Sequence, residues 1–176
     1  MAERQERTAP DAVLTRIGQV VMLHHAGDRE EARRRLLGLW AEIGEHGAPL
    51  HRCTVAHYLA DTQDDPTDEL AWDLRALSAA DEADEAEEAE EAEGAAGLRG
   101  FYPSLYLNLA ADYVKLGRTE AARTHLRRAR GAADAALGDD GYGDGVRAAI
   151  SRLELRLGED DTPEGGSWGP PRQRPN

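Results

Sequence analysis

The sequence contains one cysteine, one phenylalanine and one lysine, and only 5% of its 176 residues are aromatic. A lone Cys53 cannot close a disulfide within the chain, which argues against an oxidised, secreted scaffold. No stretch approaches the roughly 20 apolar residues of a membrane-spanning helix. Met1 is followed by AERQERTAPDA, which has no apolar core for an export signal, so a cytoplasmic protein without a membrane partner is expected. The period-two alternation of a half-buried strand is missing throughout. Catalytic signatures are missing too: no glycine-rich phosphate loop opens a helix, and neither a nucleophile elbow nor an HExxH pair occurs. GDDGYGDG at 138–145 has the composition of a calcium loop but lacks the alternating oxygen ligands and closing glutamate of an EF-hand. A non-catalytic protein without cofactor or metal is the expectation.

What is present favours helices. Alanine, leucine and arginine dominate, and the preference for arginine over the single Lys115 fits a high-GC bacterial gene. The length suits one domain with a real core. The net charge of −13 is local in origin. Residues 61–93 carry fifteen acidic residues and one basic residue, a net of −14, which leaves +1 for the rest of the chain. A nucleic-acid binder would instead show a basic face, so no nucleic-acid partner is expected.

Turn residues divide the chain. A flexible N-terminus over 1–10 precedes a helical hairpin at about 11–46, broken at Gly27, and a second hairpin follows at 49–80. Residues 81–93, DEADEAEEAEEAE, lack an apolar face and repel at helical spacings, so 81–100 reads as a solvated acidic insert or frayed helix extension. A third hairpin spans 103–137, the loop GDDGYGDG follows, and a last helix covers 146–157 with Val146, Ile150, Leu153 and Leu157 on one stripe. The tail from 159 to 176, rich in proline and glycine, is expected to be disordered.

The third hairpin is the most regular. Tyr106, Leu109, Ala110, Tyr113, Gly117, Ala122, Leu126 and Ala129 place small residues where two helices approach and large ones in the gaps beside them, with a glycine at the turn. The order resembles the tetratricopeptide repeat, a helical hairpin that stacks into arrays. Weaker copies lie upstream. Ala32, Leu36 and Leu39 match the second helix when Gly27 is set on Gly117. Val55, Ala56 and Leu59 match Leu109, Ala110 and Tyr113, and two extra turn residues bring Leu70, Leu74 and Leu77 onto the second-helix stripe. The fold implied is all-α: a right-handed superhelical stack of three such hairpins over residues 11–158, closed by a capping helix.

The resemblance also implies a binding scaffold whose first helices line a concave groove for another protein or peptide. Carried across by register, the groove set is His24, His25, Cys53, Thr54, His57, Asp61, Leu107, Asn108, Ala111, Val114 and Lys115. Only Asn108 and Lys115 suit a carboxylate clamp. Asn108 equally suits a role within the array, and Lys115 a favourable place at a helix C-terminus. Two alternatives stand beside this reading. One is a self-associating module, a homodimer built through Trp40, Trp72 or the last helix. The other is a metal or small-ligand sensor using His24, His25, Cys53 and His57, since five of the six histidines fall within residues 24–57. The outer-wall arginines, Arg33, Arg34, Arg35, Arg123, Arg127, Arg128 and Arg130, read as a salt-bridged solvent face, or as a dock for the acidic stretch.

Overall fold

The structure is a computed structural model that describes the backbone of residues 2–90 and 96–159 and the side chains of residues 12–85 and 98–158. Among the described residues all regular structure is helical: α1 (Ala2–His25), α2 (Arg29–Ile43), α3 (Pro49–Asp61), α4 (Pro66–Glu90), α5 (Ala96–Arg99), α6 (Tyr102–Lys115), α7 (Thr119–Ala136) and α8 (Gly141–Glu159). The long helices pack in chain order, the short α5 lies against α4, and α1 also meets α3 as α6 meets α8. No described helix is long and apolar enough to cross a membrane.

Local chemistry sets the helix starts. Pro49 and Pro103 stand in the first turns of α3 and α6, where a missing N–H breaks no intrahelical bond. Ahead of α4, the Asp65 carboxylate accepts hydrogen bonds from the Thr67 and Asp68 amides at 2.7 and 3.3 Å.

The turns of the first and third hairpins match bond for bond. Gly27 N–H donates to His24 C=O at 3.0 Å and Asp28 N–H to Leu23 C=O at 3.1 Å; Gly117 N–H donates to Val114 C=O at 3.0 Å and Arg118 N–H to Tyr113 C=O at 2.8 Å. Both glycines have positive φ, 94° and 69°, which a side chain would strain. Ala32, Leu36 and Leu39 after the first turn are buried, as are Ala122, Leu126 and Ala129 after the other.

Three apolar clusters follow one another along the stack. Ile17, Val20, Ala32, Leu36, Leu39, Val55 and Leu59 join α1–α3. Cys53, Ala56, Ala76, Ala80, Leu98 and Leu105 join α3–α6. Ala110, Ala122, Leu126, Ala129, Val146, Ile150, Leu153 and Leu157 join α6–α8. Trp40 and Trp72 meet edge to face at 5.2 Å and belong to both of the first two clusters. These tryptophans, candidates for a dimer contact by sequence, pack on each other within the chain.

Several boundaries differ from the sequence expectation. Helix α1 starts at Ala2 rather than after Pro10. In the middle hairpin Leu74 is 42% exposed, and the buried positions are Leu70, Asp73, Ala76 and Ala80. One extra turn residue sets Asp73, Ala76 and Ala80 on Leu126, Ala129 and Ala133, while two set the buried Leu70 on Ala122. A leucine-based alignment slips because a carboxylate occupies a core position.

The acidic stretch is not a free insert where it is described. Helix α4 continues to Glu90, Ala83 is buried against the second cluster, and Leu98 of α5 is buried there too. Glu82 pairs with Arg52, Asp84 lies 3.8 Å from Arg99 and Asp81 accepts from the Tyr102 hydroxyl at 3.0 Å. Among the described residues, these partners of Asp81, Glu82 and Asp84 are not outer-wall arginines. Arg34 and Arg35 pair with Glu31, Arg33 with Asp64 and Arg130 with Glu154.

The loop expected at 138–145 is shorter than its glycines suggest. The Asp140 carboxylate accepts from the Gly143 amide at 2.8 Å and starts α8 at Gly141. A Cβ on Gly143 would lie 2.3 Å from the Gly138 carbonyl oxygen, so glycine permits the close approach of the two chain segments. Residues 91–95 and 160–176, which include the end of the acidic run and the expected disordered tail, lie outside the described residues.

Candidate functional site

The residues predicted for a groove separate into three sets. Leu107, Ala111 and Val114 are partly buried and pack against the cluster that α8 completes, so part of each side chain is covered. The covering follows from the stripe on α8, whose Val146, Ile150 and Leu153 need an apolar face to bury against. Cys53 is fully buried, which keeps it from a binding surface; Thr54 is half-buried and donates to the Leu50 carbonyl at 2.7 Å. The remaining set, His24, His25, His57, Asp61, Asn108 and Lys115, is polar, and most of it converges on the junction of α3, α4 and α6.

At this junction the Asn108 amide nitrogen lies 3.4 Å from His57 Nδ1, and that imidazole nitrogen lies 3.6 Å from an Asp73 carboxylate oxygen. Lys115 donates to both Glu69 oxygens at 2.6 Å and stands 3.8 Å from Asp112. It also stands in the last turn of α6, the helix-end place expected for it, and its ion-pair partner comes from α4. His24 is half-buried and His25 exposed, with ring centroids 5.8 Å apart, and the charge of His24 acts on Asp61.

Two residues at the centre were not singled out by sequence. Asp73 and Asp112 are each 1% exposed, and both Asp73 oxygens and one Asp112 oxygen have no donor. As two carboxylates they would repel in a desolvated site, and a proton held between them turns repulsion into a hydrogen bond. Burial, followed by the charges of Asp73 and Glu69 and the Asp73 hydrogen bond, pushes the Asp112 carboxyl up to about 8, with Lys115 opposing. Burial alone would lower the His57 imidazole, but the Asp73 and Asp61 carboxylates outweigh it and raise its affinity for a proton. The one signal in the sequence is spacing: Leu105, Leu109 and Asp112 fall at i, i+4 and i+7, which puts an aspartate on a core stripe.

Beside this junction opens a cleft of about 420 Å³, lined by His57, Tyr58, Gly100, Phe101, Ser104 and Tyr142. Its walls come from α3, the start of α6 and the first turn of α8. The cap at Asp140 places Tyr142 there, and its hydroxyl lies 2.8 Å from the Ser104 hydroxyl. The rings of His57 and Tyr58 meet at 5.4 Å. Burial, then the charge of Asp61, raises the proton affinity of the Tyr58 phenol. Sequence spacing links Tyr58 to neither Phe101 nor Tyr142, because the acidic run and a whole hairpin separate them.

The repeat-motif residues are structural. Ala110, Ala122, Leu126 and Ala129 are buried together, Tyr106 and Tyr113 pack over them, and the Tyr113 ring stacks on His125 at 5.2 Å. Among the described residues no group of three or more histidine, cysteine, aspartate or glutamate side chains is arranged to hold a metal. Burial, then the Asp73 charge, raises the Cys53 thiol to about 12, which disfavours the thiolate that a metal or an alkylating reagent requires. Native protein treated with iodoacetamide at pH 8 is expected to remain unlabelled at Cys53, with full labelling in denaturant; rapid native labelling, read by mass spectrometry, would show the second cluster to be open.

No known protein family, curated protein or solved structure matches this chain. The class available from the chain itself is an all-helical protein whose consecutive helices pack in order, with repeated hairpin turns and a polar junction beside an aromatic cleft.

Proposed function

We propose that the protein is a non-catalytic binding scaffold: an array of three tetratricopeptide-type hairpins closed by α8, which receives a segment of another protein on the face shared by α3, α6 and α8. The matched turns of the first and third hairpins support the repeat reading. The observation that carries the binding reading is the cleft beside the His57–Asn108 contact, where groups from three helices are brought to one surface. A preformed surface of this kind binds by adding contacts from several rigid elements, with little ordering of its own side chains. The Asp73–Asp112 pair superficially suits acid–base chemistry, but at 1% exposure neither carboxyl reaches a substrate, which favours a structural role.

The test is affinity capture with wild-type protein and an Asn108→Ala, Ser104→Arg variant whose helicity by circular dichroism is unchanged. A protein retained by the wild type and lost by the variant is the expected result. Equal retention by both would remove this face from the function.

A further inference from the structure

The cleft combines two features that select for one kind of ligand. Its side walls are rings: Tyr58 from α3, Phe101 at the start of α6 and Tyr142 from α8. Such faces carry negative π-density and attract cations, most strongly where water is partly excluded. Its surroundings carry an excess of carboxylates. Asp61 on α3 acts on both Tyr58 and His57 and is itself reached by the charge of His24 on α1; farther along the junction stand Glu69 and Asp73 of α4 and Asp112 and Lys115 of α6, while Arg99, beside Gly100, is 3.8 Å from Asp84. Glu69 is satisfied by Lys115, and Asp73, 1% exposed, takes the hydrogen bond of the Asp112 carboxyl and stands 3.6 Å from His57. Anionic ligands face the opposite balance and are disfavoured.

We infer that the cleft between α3, α6 and α8 receives an arginine side chain from a basic segment of the partner protein, its guanidinium among Tyr58, Phe101 and Tyr142 and its charge answered by Asp61 and, through His57, by Asp73. This inference rests on the binding role proposed above and names the chemistry of its partner. Arginine fits better than lysine because its planar guanidinium stacks on rings and is more weakly hydrated, so it leaves water at lower cost. The volume of about 420 Å³ accommodates such a side chain. Binding is linked to protons. At mildly acidic pH the protonated His57 already answers Asp73 and repels a second cation. When the imidazole loses its proton, the guanidinium takes over that charge, so binding strengthens as pH rises through the range in which His57 loses its proton.

The experiment uses the full chain and three blocked pentapeptides, Ala-Ala-X-Ala-Ala with X arginine, lysine or citrulline, the last matching arginine in shape without its charge. Titration is followed by NMR at the backbone amides of Gly100 and Ser104, at pH 6 and pH 8. The arginine peptide is expected to shift both amides saturably, with a Kd at least about fivefold lower than that of citrulline and lower at pH 8 than at pH 6. Asp61→Asn and Tyr142→Ala should each weaken it about fivefold or more. Both side chains are exposed, so their loss leaves the fold intact, which thermal melting verifies. Equal shifts by the arginine and citrulline peptides, or full affinity in Asp61→Asn, would overturn the inference. So would shifts confined to Glu82, Asp84 and Glu85, which would mark attraction to the acidic end of α4. A partner captured through Asn108 and Ser104 whose affinity does not depend on its arginines would overturn this inference alone and leave the binding scaffold standing.

Discussion

Asparagine in place of Asp112 is expected to raise the melting temperature at pH 8.5 by roughly 3–10 °C, corresponding to about 1–3 kcal/mol, and to flatten the dependence of stability on pH. The folded protein holds the Asp112 carboxyl at about 8, against an ordinary value of 3.8, so the folded state binds the extra proton between those limits. Stability from this group is fully present below the lower value and falls as pH rises through the higher one. His57 adds a contribution of the same sign, because its raised proton affinity favours the folded state until pH passes its folded value. The wild-type melting temperature should therefore decline from about pH 5.5 to pH 9. The introduced amide has the shape of the acid and donates to Asp73 at every pH, so the substitution removes the repulsion without opening a cavity. At pH 5, where the pair keeps its proton, the variant and the wild type should melt within about 2 °C of each other. Differential scanning fluorimetry across that range is sufficient. A wild type that becomes more stable toward pH 9, or an asparagine variant that loses stability there as steeply, would show that the pair shares no proton.

The second large effect belongs to Leu109. It is fully buried on α6, and alanine there should cost about 2–5 kcal/mol, lowering the melting temperature by roughly 5–15 °C. Leu74→Ala is the informative companion. The leucine stripe inferred from sequence makes Leu74 a core residue of equal weight, whereas the structure leaves it 42% exposed on α4. Its loss should change stability by no more than about 0.5 kcal/mol. Comparable losses in the two variants would return Leu74 to the core and undo the placement of Asp73.

This contrast shows where the sequence was sufficient. Ala122, Leu126 and Ala129 lie on one stripe because one helix carries them at spacings of four and three, and the same period governs Val146, Ile150, Leu153 and Leu157. Gly27 and Gly117 mark turns because only glycine takes positive φ without strain. These are local properties of a few adjacent residues, so helical class, hairpin order and the terminal stripe were legible without coordinates. The acidic run, open by sequence between a solvated insert and a helix extension, was undecided for the opposite reason. Its carboxylates gave no apolar face, but burial of Ala83 and Leu98 in the second cluster and the pairing of Glu82 with Arg52 are long-range facts that hold α4 in place.

What only the tertiary structure decided is the content of the site. His57, Asp73 and Asp112 stand on three helices, and Tyr58, Phe101 and Tyr142 come together across the acidic run and a whole hairpin. Periodicity places a side chain on one face of its own helix; which residues of other helices meet that face is set by how the hairpins stack. The proton affinity of Asp112 is a consequence of that meeting, since the neighbours that raise it, Asp73 and Glu69, both lie on α4. The sequence by itself determined the helices and their turns, because those interactions reach only three or four residues along the chain; the buried carboxyl pair and the aromatic cleft came into being only when α3, α4, α6 and α8 packed together.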